Sequence, residues 1–254
     1  MNIRLDYRQF SYSLDLSRPF DLSIPLEAGE GHVRAWYLDP ARIEPVVMGD
    51  WIGEVRQGAA VNFRNVYFNP HGHCTHTETL GHITPGLEPV HRHFKDFFCF
   101  ASVVTVAPVE TEGDRIVTLE ALQIRCPEPA EAVIIRTLPN TESKKSIDYS
   151  RTNPPYLERQ AAVWLREMGV RHLLIDTPSV DREEDGGKLL AHHAFWNVPD
   201  SPRMDCTISE LVFVPDVVED GLWFMNLQVA SFANDAAPSR PLLFQLKPCP
   251  TDTP

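Results

Sequence analysis

Apolar residues along this chain fall into short dense runs separated by polar, proline-rich stretches. The runs Phe100 to Val106, Ala132 to Thr137 and His172 to Asp176 are dominated by apolar residues, as strands covered on both faces should be. Trp223 to Val229 and Pro241 to Leu246 read as two more strands, with Ala233 to Arg240 as a polar turn between them. Val61 to Phe68 alternates instead, which marks a half-buried strand. Asp21 to Leu26 reads as a short strand that stops at Pro25, and Trp51-Ile52-Gly53 starts another.

Helical spacing occurs in three places. Tyr156 to Met168 has apolar residues on one face and Gly169 behind it as a C-terminal cap. Thr118 caps a short helix with an acidic first turn. Leu189 to Phe195 starts a helix after a Gly-Gly turn. Strand, helix and strand from 132 to 176 predict a βαβ unit with parallel pairing. Residues 28–50 form a long excursion, either a cover over a substrate or a peripheral hairpin. Residues 140–155 and 197–205 are loops, and 248–254 is a frayed end.

Composition narrows the function classes. A chain of 254 residues, 43% hydrophobic and 23% charged, is an ordinary globular protein of one domain. A net charge of −12 argues against nucleic acid or an anionic membrane as the main partner. The N-terminus lacks an apolar signal core, and no stretch is long and apolar enough to span a bilayer. The five cysteines are scattered without a CxxC pair, so free thiols in a reducing cytoplasm are expected.

Residues 71–82, HGHCTHTETLGH, hold four of the ten histidines and a carboxylate. Imidazole and carboxylate suit zinc or manganese at neutral pH. His76 and Glu78 lie two apart, so an extended strand aims both to one face. Gly81 lets the chain turn and bring His82 back. The plainer alternative is a solvated loop. Cys74 is a ligand, a nucleophile or, more simply, a small residue beside the site. His91 and His93 are ordinary loop histidines.

The segment Thr75-His76-x-Glu78-x-x-x-His82, with His71 before it, resembles the signature of the cyclase family of metal-dependent hydrolases. That family includes bacterial kynurenine formamidases and isatin hydrolases, and its usual pattern is His-x-Gly-Thr-His-x-Asp-x-Pro-x-His. Here Cys74 stands for Gly, Glu78 for Asp and Leu80 for Pro. The position four before His76 is Gly72, so the first ligand is His71 or, alternatively, His73. His71 is favoured because Asn69-Pro70 sets an extended entry. Two further blocks carry the resemblance: Ile175-Asp-Thr-Pro-Ser-x-Asp181, and Ala191-His192-His193 with Glu210 before Leu211. Asp21-Leu-Ser-x-Pro-Leu26 is also usual in the family.

The resemblance implies an α/β fold from about residue 14 to 246, with a mixed-sheet, barrel-like core and flanking helices, the swivelling β/β/α type. It implies that His71, His76, Glu78, His192 and Glu210 bind one or two Zn or Mn ions, that His82 is the acid–base residue, and that His193 is packed nearby. The implied reaction is metal-dependent cleavage of a C–N bond in an arylformamide or cyclic amide by an activated water, in a cytoplasmic homodimer. A cyclase or dehydratase-like reaction at the same site, or a non-catalytic metal-binding scaffold, are the alternatives. Pocket residues are expected in 28–50 and 140–156, with Trp36, Trp51 and Tyr156 as candidates for an aromatic wall.

Overall fold

Every residue of Ala132–Thr137 is buried, because this strand is covered on both faces. Ala132 and Ile134 point into one core, whereas Val133 and Ile135 point into another. The computed structural model, which describes residues 1–249, shows what lies on either side. Its principal strands are β1 (His76–Glu78), β2 (Phe98–Val106), β3 (Ala132–Thr137), β4 (His172–Ile175), β5 (Thr207–Glu210), β6 (Gly221–Val229) and β7 (Ala236–Gln245). They pair in the order β6-β2-β3-β4-β5-β1-β7, and β7 returns to β6, closing a barrel. The pairs from β2 through β5 are parallel and the remainder antiparallel. The mixed barrel-like core expected from the resemblance is therefore present.

The barrel interior is filled by Ala101, Val103, Ile134, Leu174, Met225 and Leu243, among others. Its outer face carries Val104, Val133, Ile135, Leu173 and Ile208. Three helices cover part of that face: α1 (Leu119–Arg125), α2 (Arg159–Glu167) and α3 (Leu190–Trp196). They contribute Leu122, Ala161, Leu165, Phe195 and Trp196 to the outer core. Burying both faces of the sheet is what favours apolar runs over alternation here. The Thr118 hydroxyl accepts from the Ala121 N–H, as the cap predicts. At the end of α2, Gly169 has φ of +81°, and the Gly169 and Val170 amides reach back to Arg166 and Leu165 carbonyls. The unit β3–α2–β4 is the expected parallel crossover.

Four local expectations are corrected. The second helix begins at Arg159, because Tyr156–Leu157 pairs in parallel with Ile116–Val117 instead. Within Val61 to Phe68 only Arg64–Tyr67 is a strand, and all four of its residues are exposed. It pairs with Arg42–Pro45 in a two-stranded ribbon, so its alternation has no layer to bury against. The supposed turn 233–240 is half strand: β7 starts at Ala236, where Ala236 and Pro238 pair with Glu78 and His76. At the C-terminus, Lys247–Pro248 pairs with Ser13 and Tyr12 and is not frayed, while 250–254 lies outside the described residues.

Leu165 is fully buried in the outer core, whereas Ile124 of α1 is 71% exposed. Leu165→Ala is expected to lower unfolding free energy by ~3 kcal/mol. Ile124→Ala should stay within about 0.5 kcal/mol of the parent. Urea melts of the two variants check both values.

Candidate metal centre

The chain enters the centre through one helical turn, Pro70–His73. Asn69 caps it, its side-chain oxygen accepting from the His71 N–H at 2.9 Å, and Pro70 occupies the first helical position. Asn69 itself is extended, but Pro70 starts a helix and not a longer extended entry. Residues two apart on a helix point in nearly opposite directions. His71 accordingly faces the cluster, while His73 faces away, accepting from the Asn69 N–H and donating to the Asp39 carbonyl, each at 2.9 Å. Gly72 is required by close approach: a Cβ there would lie 2.6 Å from Leu38 Cδ1 and 3.0 Å from the Ala35 carbonyl.

In β1 the two-residue period holds. Thr77 points inward and pairs with the Ser209 hydroxyl at 2.6 Å. His76 and Glu78 point outward, beside Glu210 of β5. Beyond them Gly81 lets the chain cross itself, since a Cβ would sit 1.8 Å from the Leu87 carbonyl oxygen. His82 thereby returns to within 3.9 Å of Glu78 Oε2.

Four imidazoles and three carboxylates meet on this outer face. His71 Nδ1 lies 3.0 Å from Glu78 Oε2, and its Nε2 lies 3.0 Å from Asp235 Oδ2. His82 Nδ1 lies 3.3 Å from the same Asp235 oxygen. His192, from α3, places Nε2 at 3.1 Å from Glu78 Oε1 and 3.7 Å from Glu210 Oε1. His76 Nε2 is 3.4 Å from Glu210 Oε2. Ligand atoms of His71, His76 and Glu78 lie close enough to share one ion, as do those of Glu78, His82 and His192 and those of His71, His82 and Asp235.

Neighbouring groups fix which nitrogen each ring presents. His76 Nδ1–H donates to the Cys74 carbonyl at 3.2 Å, leaving Nε2 with its lone pair. His192 Nδ1–H donates to Asp181 Oδ2 at 2.6 Å, which aims Nε2 at Glu78. Asp181 also accepts from the Ala191 and His192 amides, so it anchors the first turn of α3 and the ring together. Glu210 Oε1 accepts from the Val180 N–H at 2.9 Å. The block ending in Asp181 and the Ala-His-His block are therefore joined through the Asp181 carboxylate.

The donor set fits a divalent cation. His76 Nε2 is buried without a hydrogen bond, an arrangement that costs about 1–3 kcal/mol unless something else satisfies it, and Glu78 Oε2 is buried with only the His71 ring, 3.0 Å away, beside it. Without a cation, protons take its place. Burial opposes the charged form of His71, but Asp235 and Glu78 outweigh it and push its pKa up to about 10. Burial likewise opposes charge on His192, yet Asp181 and Glu78 raise it well above the ordinary histidine value. Burial works to raise Glu78, but the charge of His82 and contacts from His192 and His71 hold it well below the usual carboxylate range. Asp235 is lowered in the same way, with His71 and His82 overcoming burial.

All six residues expected to carry the chemistry (His71, His76, Glu78, His82, His192 and Glu210) are thus brought together. Asp235 joins them unforeseen, because Asn234-Asp235 resembles any polar turn and only its position before β7 brings it here. Cys74 serves the centre through its carbonyl; burial pushes its thiol up to about 12, so it is no ready nucleophile. His91 contacts the Phe232 carbonyl, His93 contacts Glu88 and His193 contacts the Val198 carbonyl, all outside the cluster. Asp176 belongs to a separate buried network with Lys144 and Thr137. Of the proposed aromatic wall, Trp36 supports the centre by donating to the His71 carbonyl. Trp51 packs on Phe63 near the exposed ribbon, and Tyr156 bonds Asp114.

Residues 15–182 match the family model described as "Putative cyclase". No curated protein matches the chain. Among solved structures, a predicted metal-dependent hydrolase from Bacillus stearothermophilus superposes with a TM-score of 0.63 at 17% identity, over 89% of this chain and 98% of that one. Isatin hydrolase A from Labrenzia aggregata gives 0.60 at 18% identity, over 89% and 93%. An isatin hydrolase bound to the product analogue thioisatinate gives 0.64 at 13% identity, over 90% and 92%. Identities this low speak for the fold alone, but the family match runs through well over half of the sequence and includes the 71–82 and 175–181 blocks. The chain belongs to the cyclase family.

Proposed function

We propose that this protein is a metal-dependent hydrolase that cleaves the C–N bond of a small amide, an arylformamide or cyclic amide. The observation that carries the reading is the bare Nε2 of His76. It is fully buried, its tautomer is set by the Cys74 carbonyl, and it faces carboxylates with no hydrogen bond of its own. His71, His76, Glu78, His192 and Glu210 would hold one or two ions, zinc and manganese being the best matched to this donor set. A divalent ion held there would acidify water and polarise a carbonyl oxygen. The neighbouring isatin hydrolases support a cyclic amide as one substrate class.

The chain's own part is proton transfer and orientation. His82 is the most open imidazole of the cluster, its side chain 32% exposed against 16% for His71 and 2% or less for the others. A substrate approaching from solvent meets it first. Asp235 lies 3.3 Å from Nδ1, which orients the ring. His82 Nε2 takes the proton lost by the attacking water and returns it to the leaving nitrogen. A homodimer is part of this proposal, supported by exposed Val47, Met48 and Phe63 beside the ribbon. No described helix is long and apolar enough to cross a membrane.

Elemental analysis of purified protein should find a divalent metal that is lost, with activity, in His76→Ala and His192→Ala. His82→Ala should keep the metal and lose about 10²–10⁴-fold in kcat on N-formylanilines or isatins. Unchanged turnover in His82→Ala would sink its assigned role. Product analysis separates hydrolysis, which yields formate or a ring-opened acid, from a dehydration at the same centre.

Metal binding should release protons, because His71, raised to about 10, and His192 are charged at neutral pH before the ion arrives. Apparent affinity therefore rises as pH increases through neutrality towards the His71 value. Calorimetry at pH near 7 in two buffers of different ionisation enthalpy should give different binding heats. Identical heats would contradict the protonated cluster.

A further inference from the structure

A cavity of about 190 Å³ opens at the carboxyl ends of β3 and β4, and no residue of the histidine cluster lines it. In parallel sheets, strand ends of this kind are where ligands bind. Its walls are apolar: Leu138, Pro139, Ile147, Pro154 and Pro155. The hydrolysis reaction proposed above gives this cavity no task.

Two polar groups in it have no acidic partner among the described residues. Arg115 lines the cavity and donates to the Thr152 and Asn153 carbonyls, but no carboxylate among the described residues lies within ion-pair distance of it. In a chain of net charge −12, such a cation is conspicuous. Tyr149 is only 6% exposed overall; its hydroxyl oxygen, which is not sealed off, has no hydrogen-bond partner among the described residues. Burial, with the Asp176 carboxylate adding to it, raises the phenol above its ordinary value, so it remains a donor across the physiological range. Lys144 is different: its ammonium is buried and already donates to the Thr137 carbonyl and to Asp176. With the Thr137 hydroxyl as its third acceptor, at 3.1 Å, it completes the floor and has no donor to spare.

An apolar chamber with a guanidinium and a phenolic O–H, both lacking an acidic acceptor, calls for a small anion with a hydrophobic body. We propose that this cavity is a binding site for a compact monocarboxylate of benzoate size, its carboxylate read by Arg115 and Tyr149 and its body enclosed by the prolines, Leu138 and Ile147. The volume suits it, since an apolar cavity of about 150 Å³ accommodates benzene. The site also touches the path to the cluster. Thr177 lines the cavity, and its carbonyl accepts from the Leu211 N–H, next to Glu210. Three residues on, Val180 donates to Glu210, and Asp181 then holds His192.

The test is calorimetric titration with benzoate and with benzamide, its neutral counterpart, on the full chain. Benzoate is expected to bind about tenfold or more tightly than benzamide, because only the anion gains charge-assisted bonds. Arg115→Gln and Tyr149→Phe should each weaken benzoate by about tenfold. Tyr149→Phe removes one oxygen and keeps the packing, so it decides the matter even if Arg115→Gln folds poorly. The titration is repeated on chelated protein and on His76→Ala, where benzoate binding should persist. Binding that vanishes with the metal would place the carboxylate on the cluster and overturn the proposal. Equal affinity for benzamide, no effect of Tyr149→Phe, or no benzoate binding at millimolar concentration would overturn it as well.

Discussion

The three residues of β1 are wedged between β5 and β7, and their register governs everything the centre does. Side chains alternate along a strand, so a slip of one residue would turn His76 and Glu78 into the barrel and put Thr77 outside. The register is held from both sides. The Thr77–Ser209 contact occupies the interior, and Thr75 bonds the Ile24 amide and the Leu211 carbonyl just ahead of the strand. Ala236 and Ala237 of β7 are small and fully buried against the same strand. The apolar interior then excludes the alternative, since a buried Glu facing Leu174 and Met225 would have no partner.

Having been aimed outward, these groups are desolvated a second time by the helix layer. Glu78 and His76 have no solvent exposure, and Phe195 and Trp196 of α3 are equally buried. In so dry a setting each carboxylate must be matched by protons or cations. The imidazoles supply protons in the absence of metal, which is why His71 and His192 are raised while Glu78 and Asp235 are lowered. The same balance explains the substitution of Glu78 for the family's Asp without loss of the cluster. Its longer side chain spans the gap so that one oxygen approaches His71 and the other approaches His192.

Asp181 links this chemistry to the fold. It ends the segment that follows β4 and holds both backbone amides at the start of α3 and the His192 ring. A carboxylate at a helix start is favoured by the unpaired amides there. One residue thus positions the helix and sets the tautomer of the ring it carries.

Local chemistry was written in the sequence wherever a short-range rule determined it. The two-residue period placed His76 with Glu78, Gly81 marked the turn to His82, the apolar runs marked β2, β3 and β4, and Gly169 marked the end of α2. The cyclase-family blocks identified His192 and Glu210, which no local spacing connects to Glu78. Tertiary structure decided what no short-range rule reaches. Barrel closure turned a supposed loop into the start of β7 and brought Asp235 to His71 and His82. A single capped helical turn brought the His71 ring to the cluster and turned His73 away. The ribbon around Arg64–Tyr67 kept its alternating pattern but stayed exposed, because periodicity states which face is apolar and only the packing of the whole chain states whether anything covers it.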